Sequence, residues 1–140
     1  MPRRFYLDTC IWRDHFEDRT GPGGRPLGKY ATQLLMKIIR DKDIIIISDA
    51  IIAELKKGFY DDEISDILNV LQAMGSVENI PIQDIDDTEA KMISKERKLP
   101  ILDVLHAILA RNNQAILVTQ DKHFMQLSDI VNCKRPEELL

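Results

Sequence analysis

Apolar residues in this chain fall into short blocks whose spacing alternates between two periods. The runs Arg3–Asp8 and Ile44–Ile47 are brief and rich in β-branched or aromatic residues, and each predicts a strand. Ile44–Ile47 is apolar at every position, the pattern of a strand covered by helices on both faces. Between these two runs, Ile11, Trp12 and Phe16 share one side of a helix predicted over Ile11–Asp18. Leu34, Leu35, Ile38 and Ile39 recur at helical spacing within Lys29–Asp41. The Gly- and Pro-rich segment Thr20–Pro26 separates the two helices as a loop.

The alternation continues to the C-terminus. Ser48 is placed to cap a helix through Lys57, with Gly58 as its stop. Asp61, Asp62 and Glu63 put negative charge at the start of the next helix, whose core stripe is Ile64, Ile67, Leu68 and Leu71; Gly75 closes it. A short strand at Val77–Pro81, a helix from Asp84 to about Lys98, an apolar helix over Leu102–Arg111 after Pro100, and a strand at Ala115–Thr119 follow. A short helix near His123–Leu127 and a weak strand at Ile130–Cys133 complete the pattern. Strands alternating with helices of this length predict βαβ units. The expected fold is a three-layer α/β/α domain with a central, mostly parallel sheet of four to five strands, spanning residues 1–140 as one unit.

Composition narrows the classes. The chain is 44% hydrophobic and carries a formal charge of −4, which argues against coating nucleic acid through bulk electrostatics. No apolar run approaches the roughly 18 residues of a membrane span, and the start Met1-Pro2-Arg3-Arg4 does not read as a secretory signal. Cys10 and Cys133 lie far apart with no metal-binding spacing, and read as small apolar fillers rather than a disulfide or a zinc site. A cytosolic location is the expectation.

Against this background four acids stand out, because each ends or interrupts an apolar run. Asp8 follows Phe5-Tyr6-Leu7, Glu54 sits in Ala50-Ile51-Ile52-Ala53-Glu54-Leu55, Asp103 interrupts Ile101-Leu102-Asp103-Val104-Leu105, and Asp121 follows the Ala115–Thr119 run. An ionised carboxylate drawn into a core costs several kcal/mol unless a cation or hydrogen bonds compensate it. In a parallel sheet, residues just beyond strand C-termini converge on one cleft, which is where Asp8 and Asp121 fall; Glu54 and Asp103 belong to helices that can face it. Their wide separation along the chain excludes a local calcium loop. An all-carboxylate donor set, without His or Cys, suits Mg²⁺ or Mn²⁺, and such ions bind phosphates as well, so the expected chemistry is phosphodiester hydrolysis. Thr119, two residues before Asp121, is placed to orient a carboxylate or a water.

The segments Tyr6-Leu7-Asp8-Thr9, Ser48–Leu55 with Gly58 following, Asp103-Val104-Leu105-His106-Ala107, and Leu117-Val118-Thr119-Gln120-Asp121 with Phe124 together resemble a PIN domain, the fold of the VapC-type toxin ribonucleases, over nearly the whole chain. The resemblance implies that Asp8, Glu54, Asp103 and Asp121 are metal-binding acids and Thr119 a supporting hydroxyl. It further implies an endoribonuclease that cuts RNA with Mg²⁺ or Mn²⁺, an antitoxin protein as partner, and a homodimer. Cys10 stands where the family often has Asn or Ser, and Asp121 occupies the position that varies most among its acids.

Other readings compete. Asp49 rivals Glu54, although a place at a helix start explains it. Singly, Asp8, Asp103 and Asp121 also read as a strand end or helix starts. Asp14, Glu17 and Asp18, together with the acids at 61–63 and 84–87, read as solvated faces or helix starts. His15 and His123 read as surface or partly packed, and His106 as a packing residue with contact to a carboxylate as its alternative. Gly23–Tyr30 fits the phosphate-loop pattern except that Tyr30 replaces the Ser or Thr needed for Mg²⁺, and it follows a helix; it reads as a flexible loop. Lys56 and Lys57 are the basic pair best placed for a nucleic-acid backbone, and Lys134-Arg135 reads as solvated. A phosphotransfer site of the haloacid-dehalogenase type needs Asp-x-Asp, where this chain has Asp8-Thr9-Cys10. The non-enzymatic alternative is a PIN-like scaffold that binds nucleic acid or protein without a metal; metal titration by calorimetry separates it from the nuclease.

Overall fold

The computed structural model describes residues 1–140. Its centre is a parallel sheet of β1 (Arg4–Leu7), β2 (Ile44–Ser48), β3 (Val77–Ile80), β4 (Ile116–Val118) and β5 (Cys133–Lys134), in the order β3-β2-β1-β4-β5. The register pairs Phe5 with Ile45 on one side and with Ile116 on the other. Helices α1 (Thr9–Glu17), α2 (Leu27–Arg40), α3 (Asp49–Lys56), α4 (Asp61–Ala73), α5 (Asp84–Arg97) and α6 (Ile101–Asn112) cover the sheet, giving the three-layer α/β/α architecture. Ile45, Ile46 and Ile47 are all fully buried, as a strand apolar on both faces requires.

Local chemistry accounts for the boundaries. Asp8 caps α1 by accepting from the Thr9 N–H, and Ser48 caps α3 through the Ile51 N–H. Gly75, at φ +68°, turns the chain out of α4 into β3. At Gly28 a Cβ would lie 2.5 Å from the Asp18 Cα, so only glycine lets α2 start this close to the end of α1. Two expectations shift. The last strand forms at Cys133–Lys134 rather than Ile130–Cys133, because Cys133 pairs with Leu117 while Val131 turns into the core. Gly58 does not end α3 in a left-handed conformation; the helix closes on Lys57 in right-handed geometry.

The solvated reading fails for Asp14, while Asp86 meets its helix-start reading and is buried as well. Asp14 is only 2% exposed, under the Arg19 side chain, and burial raises its carboxyl to about 6 against the pull of Arg19. Asp86 is buried because its carboxylate closes the α5 cap on the Gln83 N–H and accepts from the Asn112 amide. No helix is long and apolar enough to cross a membrane.

Candidate active site at the sheet switch point

The chain leaves β1 toward β2 and β3 on one side, and β4 and β5 occupy the other. The direction of strand order therefore reverses between β1 and β4, and a crevice opens beyond their C-termini, where ligands bind in sheets of this kind. Asp8 and Thr119 are the first residues past these two strands, and the Asp8 N–H bonds to the Val118 carbonyl at 2.9 Å. The Asp8 carboxylate is buried and takes three donors, only one of them on Oδ1. It accepts from the Thr9 N–H at 2.8 Å, the Thr119 hydroxyl at 3.0 Å and the Cys10 thiol at 3.2 Å. Burial, then the charge of Asp8, push the Cys10 thiol far up, so sulfur remains a protonated donor. Cys10 is therefore a polar support of Asp8 and not the apolar filler its composition implied. Thr119 also accepts the Asp121 N–H at 3.0 Å, so one hydroxyl ties two of the acids together.

Glu54 lies on α3 and is held from α6. His106 Nε2 stands 2.6 Å from Glu54 Oε1, and its Nδ1 stands 2.7 Å from the Tyr6 hydroxyl, which is 2.8 Å from Ser48 Oγ. Donor counting orders this chain. A carboxylate only accepts, so Nε2 carries the hydrogen; Tyr6 then donates to Nδ1 and Ser48 donates to Tyr6, while Ser48 Oγ receives the Ile51 N–H. Burial works to raise the Glu54 carboxyl, but the His106 hydrogen bond, with smaller help from Thr9 and the Arg13 charge, holds it below the usual carboxylate range. Burial also drives the Tyr6 phenol far up, which keeps it a donor. His106 thus packs and positions at once. The packing reading misses its second role because Tyr6 and Glu54 reach it only through the fold.

Asp103 begins α6 half-buried and accepts no hydrogen bond from the protein. Burial raises it to about 6, and the charges of Asp8 and Asp121, with a smaller push from Glu54, act in the same direction against the pull of His106. The charges of Asp8, Asp121 and Glu54 all reach Asp103. Asp121 is more open than Glu54; it accepts from the His123 N–H at 2.9 Å, and His123 Nδ1 lies 3.0 Å away. Only Asp8 is buried; Glu54, Asp103 and Asp121 stand half-buried at the rim. Asp49 is exposed at the start of α3, as its helix-start reading requires. Asp43, another buried acid, is neutralised by Arg3 at the opposite end of the sheet.

No three His, Cys, Asp or Glu side chains are drawn together as a ready-made ligand set. The donor chemistry nevertheless suits a hard cation. The acids offer only carboxylate oxygens, Asp103 is an acid without a donor beside three others, and Mg²⁺ characteristically takes one or two direct carboxylates and keeps several waters.

A model of the PIN domain family matches residues 5–130. Three solved structures share the fold. VapBC2 from Rickettsia felis, bound to a DNA fragment from its promoter, superposes with a TM-score of 0.65 at 19% identity, covering 94% of this chain and 98% of that one. VapBC-1 from nontypeable Haemophilus influenzae gives 0.62 at 20% identity over 96% and 98%. FitAcB from Neisseria gonorrhoeae gives 0.60 at 17% identity over 95% and 98%. Among curated proteins none matches the chain significantly.

Proposed function

The chain belongs to the PIN domain family, and from that premise we propose that it is a Mg²⁺- or Mn²⁺-dependent ribonuclease with Asp8, Glu54, Asp103 and Asp121 as its metal-binding acids. The observation that carries the reading is geometric: in the crevice between β1 and β4 the Thr119 hydroxyl donates to the Asp8 carboxylate and accepts the Asp121 N–H, while Asp103 receives no donor from the protein. A bound divalent ion would supply a Lewis acid for a phosphoryl oxygen and a water of lowered pKa. The chain's own residues prepare for it. Thr9, Thr119 and Cys10 fix the orientation of Asp8, His106 keeps Glu54 ionised and directed, and Asp103 contributes a charge that the protein leaves uncompensated. Thr119 acts as a positioning residue between Asp8 and Asp121.

The toxin–antitoxin complexes among its structural relatives support a protein partner for this chain as well. Self-association into a homodimer is part of the same proposal, and light scattering of the isolated chain tests it.

The deciding experiment incubates RNA with the protein, with EDTA or Mn²⁺, beside the Asp8→Asn variant. Cleavage that requires the ion and disappears in the variant is expected. Equal cleavage by parent and variant in metal-replete buffer overturns the assignment, and calorimetry showing no uptake of Mn²⁺ would identify a metal-free scaffold instead.

A further inference from the structure

A cleft of about 250 Å³ adjoins the acids on the β4–β5 side, with Thr119 and Asp121 in its wall. Its apolar lining includes the exposed Met125 beside the buried Phe124, and Arg25, Lys122, Lys134 and Arg135 also line it. The cations are not equivalent. Arg25 is committed to Glu137, and Arg135 to Glu138 at 2.9 Å, whereas Lys122 and Lys134 pair with no acid. In a chain of net charge −4, two lysines outside any ion pair, in a cleft with four cations against Asp121 and Glu138, favour an anion there. The backbone fixes both beside the acids. Lys134 pairs with Val118, and its carbonyl receives the Thr119 N–H at 3.0 Å; Lys122 directly follows Asp121.

We infer that this cleft seats the nucleotide next to the cleaved bond of single-stranded RNA, its phosphate on Lys122 and Lys134 and its base against the exposed Met125 side chain. The combination of a cationic wall and an apolar platform is how proteins hold single strands, and the cleft's size admits one unstacked nucleotide rather than a duplex. The Arg25–Glu137 and Arg135–Glu138 pairs shape the walls, leaving the lysines as the phosphate ligands. This inference rests on the ribonuclease reading for the identity of its ligand.

The test measures binding of a short, fluorescently labelled single-stranded oligoribonucleotide to full-length Asp8→Asn protein in Mg²⁺ by anisotropy across a salt series. Adding Lys122→Ala and Lys134→Ala should weaken binding about tenfold or more at low salt, and should flatten the plot of log affinity against log salt by roughly 0.7 for each phosphate that is no longer neutralised. Arg40→Ala with Lys42→Asn, two cations removed at the opposite end of β2, should leave both quantities near the parent's. An unchanged slope in the lysine variant, an equal loss in the Arg40/Lys42 variant, or no binding by the Asp8→Asn protein at low salt overturns the inference. The wild-type cleavage assay keeps the two readings apart. Ion-dependent cutting with lysine-independent binding sinks only the cleft, and lysine-dependent binding without any cutting sinks only the nuclease.

Discussion

Asp8 and Asp103 face the same crevice, yet the protein treats them oppositely. Asp8 is buried and receives three donors from Thr9, Thr119 and Cys10. Asp103 is half-buried, receives none, and is pushed to about 6 by burial and by its acidic neighbours. The supported acid is fixed in place whatever the crevice contains. The unsupported one is an anion near pH 7 at a cost in stability that a cation would relieve, so the first gives the site its geometry and the second favours a cation.

The largest effect expected follows from removing the fixed charge. Asp8→Asn should lower ion-dependent RNA cleavage by about 10³-fold, about 4 kcal/mol in the barrier, in a single-turnover assay. An effect below tenfold would place the geometry elsewhere. Next comes the support of Glu54. His106→Ala leaves that carboxylate and the Tyr6 hydroxyl without their partner, and should cost roughly 10- to 100-fold in activity or Mn²⁺ affinity, with a loss of about 2–4 kcal/mol in urea unfolding. If only stability falls, His106 is structural and does not position Glu54.

Asp103→Asn should act in the opposite sense. Without metal it relieves repulsion, and a gain of about 1 kcal/mol is expected near pH 7 after allowing for solvent screening. The sign follows from the raised pKa. The folded state holds the Asp103 proton more tightly than the unfolded chain, so the wild type loses stability as pH rises from about 4 to about 6 and no further above that. The advantage of the variant should therefore shrink as urea unfolding in EDTA is moved from pH 7 toward pH 5. An advantage independent of pH would break the contrast with Asp8, and added Mg²⁺ should stabilise the parent more than the variant. The smallest effect belongs to Cys10→Ala. Asp8 keeps its stronger donors, so stability should change by less than about 0.5 kcal/mol and cleavage rate by about twofold or less; a large loss would make the thiol a principal support of Asp8.

Legibility differs from residue to residue for physical reasons. Hydrophobic period exposes the strands through Ile44–Ile47 and Ile116–Val118, because a buried parallel strand must be apolar on both faces. The acids are legible because each violates the apolar run around it, and Thr119 because of its place at a strand end. His106 misleads, since an imidazole in an apolar helix looks like packing until Tyr6 and Glu54 are brought to its two nitrogens from β1 and α3. Asp14 misleads too. Its polar neighbours along α1 give no sign that it will be covered, with Arg19 beside it. Lys134 reads as solvated because its two-residue strand carries almost no periodic signal.

The sequence by itself determined the layers, the parallel sheet and the identity of the unusual acids, because hydrophobic period and local capping act over a few residues. Only the tertiary structure decided which acid is supported and which is left in need of a cation, and which lysines lack a partner. Those properties depend on side chains up to 111 positions apart, as Thr119 and Asp8 are. Electrostatic and hydrogen-bond energies fall off with distance through space, and spacing along the chain does not measure that distance.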